Sequence, residues 1–282
     1  MTKPLYPWVG GKTRVLDYIN INTPSAFGNY HEPFLGGGAV ALQMMEAHPN
    51  KTFHLSDFNS ELVCAWKAVK KNPHEVAELL REHFERHERR YFANIRGWDK
   101  RGLLPYKTPA ERGARFIYIC ATAFRAVWSE NEQGHCTSSF GFDEARNYDY
   151  ENLLAVSELL NSRRTVISHR SYEEGLRDVQ AADFVYLDPP YATDDDDGTR
   201  TFDNYLKGGA TEGFQAQLRS YLDALTERGA AVLASNANTS TTRSLYDGWG
   251  TAKKKIVYGV STKQQAPKDE MLFANAALYH SL

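Results

Sequence analysis

Asp188-Pro189-Pro190-Tyr191 follows the apolar run Phe184-Val185-Tyr186-Leu187, and that order of residue types has a chemical meaning. A strand that stops in this way leaves a carboxylate and the following carbonyls at its carboxyl end, where open α/β sheets bind ligands. Proline has no backbone N–H, so the segment is stiff and offers acceptors only. Tyr191 adds a flat π-face beside them. Acceptors and a stacking ring suit a planar ring whose exocyclic amino group carries N–H donors. The competing possibility is a Pro-Pro turn with Asp188 capping a helix, since aspartate and proline are both common at turns.

Two glycine-rich turns bear on a second ligand. Gly36-Gly37-Gly38-Ala39-Val40-Ala41 fits G-x-G-x-x-A, and Asp57 stands about 20 residues on, where a ribose-binding carboxylate belongs. The motif alone does not separate a plain tight turn from a nucleotide site, or a dinucleotide from another adenosine-bearing cofactor. Trp8-Val9-Gly10-Gly11-Lys12 sets another glycine pair beside an indole and an amine. It is no P-loop, because the first glycine of G-x-x-x-x-G-K-[ST] is absent. By itself it is a turn opening a helix, with Lys12 in solvent.

The elements that must hold these groups alternate between β and α. The pattern predicts a helix over 11–20, strands over 30–34 and 52–57, and helices over 39–47 and from Ser60 onward. It resumes with helix 150–162, strands 164–172 and 183–188, helix 212–228, and strands 230–236, 254–260 and 271–278. Parallel strands with helices on both faces follow from such alternation. Between them, 66–147 is helical and polar, with a buried helix over 112–124 and a polar hairpin turning at Gly134. The expected organisation is a discontinuous domain, 1–65 and 148–282, interrupted by an insertion at 66–147.

With 282 residues, 42% hydrophobic and 24% charged, the composition is that of an ordinary globular protein. A net charge of -2 leaves room for a basic cleft. No apolar run is long enough for a membrane span, and the first residues do not resemble a secretory signal. Cys64, Cys120 and Cys136 lack metal-ligand spacing and suit reduced thiols, so a cytoplasmic protein is expected.

Taken in order, "WVGGK" (8–12), "EPFLGGGAVAL" (32–42), "LSDFNSEL" (55–62) and "DFVYLDPPY" (183–191) resemble the Dam-type (D12 class, alpha group) DNA adenine-N6 methyltransferases. "ASNANT" (234–239), "KDEMLFAN" (268–275) and the pair Phe202 and Tyr205 agree with it. The resemblance implies a Rossmann-like methyltransferase sheet carrying an inserted helical target-recognition domain. S-adenosyl-L-methionine would be the cofactor and double-stranded DNA the partner, with no membrane, no metal, and a monomer or else a dimer. Trp8, Gly10, Gly11, Lys12, Glu32, Pro33, Phe34, Gly36, Gly37, Gly38, Asp57, Tyr172 and Asp188 would form the cofactor pocket. Asp188 and the Pro189 carbonyl would accept the hydrogens of the target amine, with Pro190 and Tyr191 completing the catalytic turn and Tyr191 stacking on an extruded base.

The insertion departs from the family pattern N-x-x-x-N-G-x-x-R. Cys120 replaces the first Asn, Arg125-Ala126 replaces Asn-Gly, and Ser129 stands where a base-reading Arg is usual. A bidentate Arg–guanine contact is worth about 1–3 kcal/mol of discrimination, so a target other than plain GATC is expected. Arg125, Ser129, Asn131, Phe202 and Tyr205 are the candidate DNA contacts. Cytosine-N4 or RNA as substrate, a dinucleotide-dependent oxidoreductase, and a non-catalytic DNA-binding relative are the alternatives. The run Asp194 to Asp197 does not fit a calcium loop and is expected to form a solvated loop of like charges.

Overall fold

The computed structural model describes residues 1–141, 147–191, 212–256 and 268–279. Its strands are β1 (Tyr30–Glu32), β2 (Thr52–Asp57), β3 (Arg164–His169), β4 (Phe184–Leu187), β5 (Ala231–Ala237), β6 (Gly250–Ile256) and β7 (Lys268–Ala274). They form one seven-stranded sheet in the order β3-β2-β1-β4-β5-β7-β6. The first five of these run parallel, whereas β7 is antiparallel to both β5 and β6. The chain moves outward from β1 to β3 and then returns to lay β4 on the other side of β1. That reversal opens a crevice between β1 and β4 at the carboxyl edge.

The helices are α1 (Leu16–Ile21), α2 (Ala39–Ala47), α3 (Ser60–Lys71), α4 (Pro73–Glu85), α5 (Arg89–Arg96), α6 (Pro109–Thr122), α7 (Tyr150–Ser162), α8 (Tyr172–Gly175), α9 (Glu212–Glu227), α10 (Ser240–Leu245) and α11 (Ala276–Tyr279). They cover both faces of the sheet, and β4 shows how. Phe184 and Tyr186 join an apolar cluster with α2, α3, α6 and α7. Val185 and Leu187 alternate onto the other face, against α9. All of β4 is buried, as a central parallel strand must be, and this accounts for its unbroken apolar sequence.

The described residues between 66 and 141 are largely helical. At the start of α6, Thr108 and Glu111 form a reciprocal capping box with Pro109 in the first turn. A side chain at Gly113 would come within 2.8 Å of the Ala68 methyl, so glycine there lets α6 lie close against α3. Arg115 is wholly buried and fully engaged. It donates to Asp99 at 2.7 Å, to Glu61 at 3.4 Å and to the carbonyls of Ile95 and Arg96. Such a charge is tolerable inside because each of its three nitrogens has an acceptor, two of them on carboxylates.

Several boundaries differ from the sequence expectation. The helix expected over 11–20 splits into a 3₁₀ turn, Lys12–Arg14, and α1, with the Val15 N–H bonding the Lys12 carbonyl. β3 stops at His169 because Ser171 and Glu174 cap α8 reciprocally. β6 starts at Gly250, whose register partner is Ala274, rather than at residue 254. β7 ends at Ala274, since the Asn275 side chain accepts from the Val232 N–H and from Leu278 N–H and turns the chain into α11.

Candidate active site

The carboxyl ends of β1 and β4 deliver Glu32 and Asp188 to the crevice. Glu32 is buried and accepts the Tyr30 hydroxyl at 2.6 Å. Burial, aided by the neighbouring carboxylates of Asp188 and Asp57, pushes its carboxyl up to about 8. Burial also raises Asp188, and Lys12 opposes that rise. The Lys12 ammonium lies 2.7 Å from Asp188 Oδ1, 3.5 Å from Glu270 Oε1 and 2.7 Å from the Gly10 carbonyl. It also sits 4.9 Å from the centre of the Tyr191 ring. Lys12 is therefore a buried member of the pocket and not a solvated side chain.

The turn from Asp188 to Tyr191 is fixed from two directions. The Tyr191 hydroxyl donates to Glu270. On the other side the Gln215 amide donates to the Pro190 carbonyl at 2.7 Å, and Asn236 donates to Gln215 at 3.2 Å. Asp188 engages Lys12 and residues 188–191 are not helical, so Asp188 caps no helix there.

The glycine turn after β1 is built against tryptophans. Gly36 and Gly38 have φ of 48° and 69°, in the left-handed region that glycine adopts without strain. A side chain at Gly36 would fall 2.8 Å from Trp8 Nε1, and one at Gly38 would fall 2.5 Å from the Trp66 ring. Tyr6 and Trp66 donate to the Gly36 carbonyl at 3.1 Å and 3.2 Å. The Gly36 N–H donates at 3.0 Å to Asp57, which also receives the Asn59 N–H at 2.9 Å. Asp57 ends β2, so its place beside the turn follows from the pairing of β1 with β2. Just beyond β1, Phe34 stacks on Tyr172 with ring centres 5.8 Å apart. The buried Glu32, the half-buried Asp57 and Asp188, a glycine turn and an aromatic pair thus share one edge. That donor set fits a ligand carrying a cation, a diol and a flat heterocycle.

The structure brings Lys12, Glu32, Asp188 and Tyr191 together, and sets Trp8, Gly36 to Gly38 and Asp57 around the adjoining turn. Gly10 and Gly11 form the tight turn that points Lys12 inward, with the Gly11 N–H on the Trp8 carbonyl at 3.0 Å. Sequence reasoning assigned no role to Glu270, Gln215 or Asn236. A buried acid inside the apolar strand "KDEMLFAN" was the available signal for the first.

Arg125 and Phe124 are exposed at a turn following α6. Arg125 and Ala126 have φ of 55° and 57°, a left-handed pair in which neither residue is glycine. Asn131 directs its side-chain oxygen to the N–H groups of Gln133 and His135, stabilising the hairpin that turns at Gly134. Ser129 bonds Thr137 across the same hairpin at 3.0 Å. Both side chains thus brace the hairpin, which is how the structure places these two candidate contacts. Phe202, Tyr205 and Asp194 to Asp197 lie outside the described residues.

A seven-stranded sheet of this order, with a glycine turn after β1 and an acidic, proline-rich turn after β4, is that of a Rossmann-like methyltransferase. The family model for D12 class N6 adenine-specific DNA methyltransferase matches residues 8–260, and the chain belongs to that family. It is 30% identical to the type II methyltransferase M1.LlaDCHI of Lactococcus lactis subsp. cremoris, over 89% of this chain and 87% of the relative. It is 29% identical to M.MjaIII of Methanocaldococcus jannaschii, over 97% and 99% of the two chains. The DNA adenine methylase of Escherichia coli K12 is 28% identical, over 94% and 92%. The chain is accordingly an adenine-specific DNA methyltransferase. Among the described residues, no helix is long and apolar enough to cross a membrane.

Proposed function

We propose that the methyl donor is S-adenosyl-L-methionine and that the acceptor is the N6 amine of an adenine extruded from duplex DNA into the crevice between β1 and β4. The observation that carries this is the Asp188–Lys12 pair at the point where the strand order reverses, beside the glycine turn. When bound, the cofactor supplies an electrophilic methyl group on a sulfonium centre. Glu32 would face its cationic end, Asp57 its ribose hydroxyls, and Phe34 with Tyr172 its adenine.

Asp188 and the Pro189 carbonyl would each accept one hydrogen of the target amine. Two acceptors on one side of an exocyclic nitrogen turn its lone pair out of the ring plane and towards the methyl group. Asp188 acts chiefly as a fixed negative charge facing a nitrogen that becomes positive, because that nitrogen gives up a proton readily only once methylated. Tyr191 would stack on the base and offset part of the few kcal/mol that extrusion costs. We ascribe target reading to residues 66–147, with Arg125 on its exposed turn contacting DNA in place of the family's usual residues and the target differing from GATC.

Incubation with S-adenosyl-L-methionine and mixed-sequence duplex DNA, followed by digestion to nucleosides, should yield N6-methyladenine. Sequencing of the modified positions should give one short motif. Recovery of N4-methylcytosine alone would refute the assignment.

A further inference from the structure

Lys12 and Asp188 present a conflict. One of the two Asp188 oxygens, Oδ1, lies 2.7 Å from the Lys12 ammonium, where an entering amine competes with it. An amine that takes this oxygen displaces the ammonium, and a buried cation without a counter-charge is costly. Glu270 supplies one. Its carboxylate lies 3.5 Å from the same nitrogen, within ion-pair distance, so a small side-chain rotation exchanges one partner for the other.

Its placement is rigid. Glu270 pairs in register with Ala237 of β5, and it is 2% exposed. It also accepts the Tyr191 hydroxyl, so one carboxylate contacts both side chains that must accommodate the base. Lys12 restrains the rise that burial imposes on the Glu270 carboxyl, which marks the two as electrostatically linked in the resting pocket.

Taking Asp188 as the acceptor of the target amine, we propose that Glu270 is a positioning residue: it takes over the Lys12 ammonium as the base enters, freeing Asp188, and it holds Tyr191 in place for stacking. It touches neither the methyl group nor the amine. Freed of Lys12, the Asp188 carboxylate faces the positive charge that grows on the attacking nitrogen.

The test is single-turnover methylation of duplex DNA at neutral pH with saturating cofactor, with cofactor and DNA affinities and thermal stability measured in parallel. Glu270→Gln should lower the rate by about 100-fold, the scale of a misplaced catalytic group, with both affinities nearly unchanged. Removing the ammonium as well should relieve that loss, so Lys12→Met combined with Glu270→Gln should transfer methyl groups faster than Glu270→Gln alone. Glu270→Asp keeps the charge and withdraws it by one methylene. It should lose about 10-fold, which covers the case in which Glu270→Gln does not fold. A Glu270→Gln enzyme with the original rate, or one that the Lys12 change does not speed up, overturns the proposal, as does Glu270→Asp at full rate. Asp188→Ala run alongside separates the two levels: if it still transfers methyl groups, the assignment of Asp188 has failed, and if it is inactive, any failure belongs to Glu270 alone.

Discussion

β4 carries an aspartate at each end, and the two are held in different ways. At the amino end, Asp183 accepts the N–H groups of Asn29 at 2.7 Å and Gln180 at 2.9 Å, and contacts the His31 ring at 3.0 Å. Backbone donors cannot leave without unfolding the segment, so this carboxylate is part of the scaffold. At the carboxyl end, Asp188 meets the ammonium of one long side chain, which can swing away. Of these two carboxylates, the one fixed by backbone groups at the sheet's far edge organises structure, and the one neutralised by a movable cation remains available to a substrate. The same residue type on the same short strand does both, and the partner decides which.

Substitution at each end should separate the two roles. Asp188→Ala should lower single-turnover methyl transfer by about 1,000-fold, the upper range for losing one preorganised polar group, while cofactor affinity by calorimetry stays within a few-fold. Equal loss of both would make Asp188 a structural residue like its counterpart. Asp183→Ala should do the reverse. It strands two part-buried N–H groups and the buried His31 imidazole, and should cost about 2 kcal/mol in denaturant unfolding with the transfer rate per folded molecule unchanged. A third carboxyl extends the contrast at smaller scale. Glu32, raised to about 8, keeps a proton in the folded protein that the unfolded chain has already lost. From about pH 5 to pH 8 the unfolded state thus binds fewer protons, and stability falls as pH rises. The melting temperature of the ligand-free protein should decline across that window, and Glu32→Gln should flatten the decline.

Much of this was legible in the chain because local rules carry it. A strand buried on both faces needs a continuous apolar run, and Phe184 to Leu187 supply one; Asp188 to Tyr191 then mark the edge at which it ends. The glycines at 36 and 38 occupy backbone that other residues adopt only under strain. Glu270 is hard to read from the sequence for a topological reason. Parallel strands bring their ends to the ligand edge, whereas β7 runs the other way and brings its beginning there. Lys12 looked solvated because the charges that bury it lie far along the sequence. The left-handed pair at Arg125 and Ala126 was hidden because neither residue type announces such a backbone.

The reversed strand makes the pocket depend on a distant part of the chain. Among the described strands β7 comes last in sequence, yet it lies inside the sheet between β5 and β6. Cut short of β7, the chain would keep Lys12 and Asp188 but lose the carboxylate that receives the Tyr191 hydroxyl. Truncation at that point would cost the active site as well as the sheet.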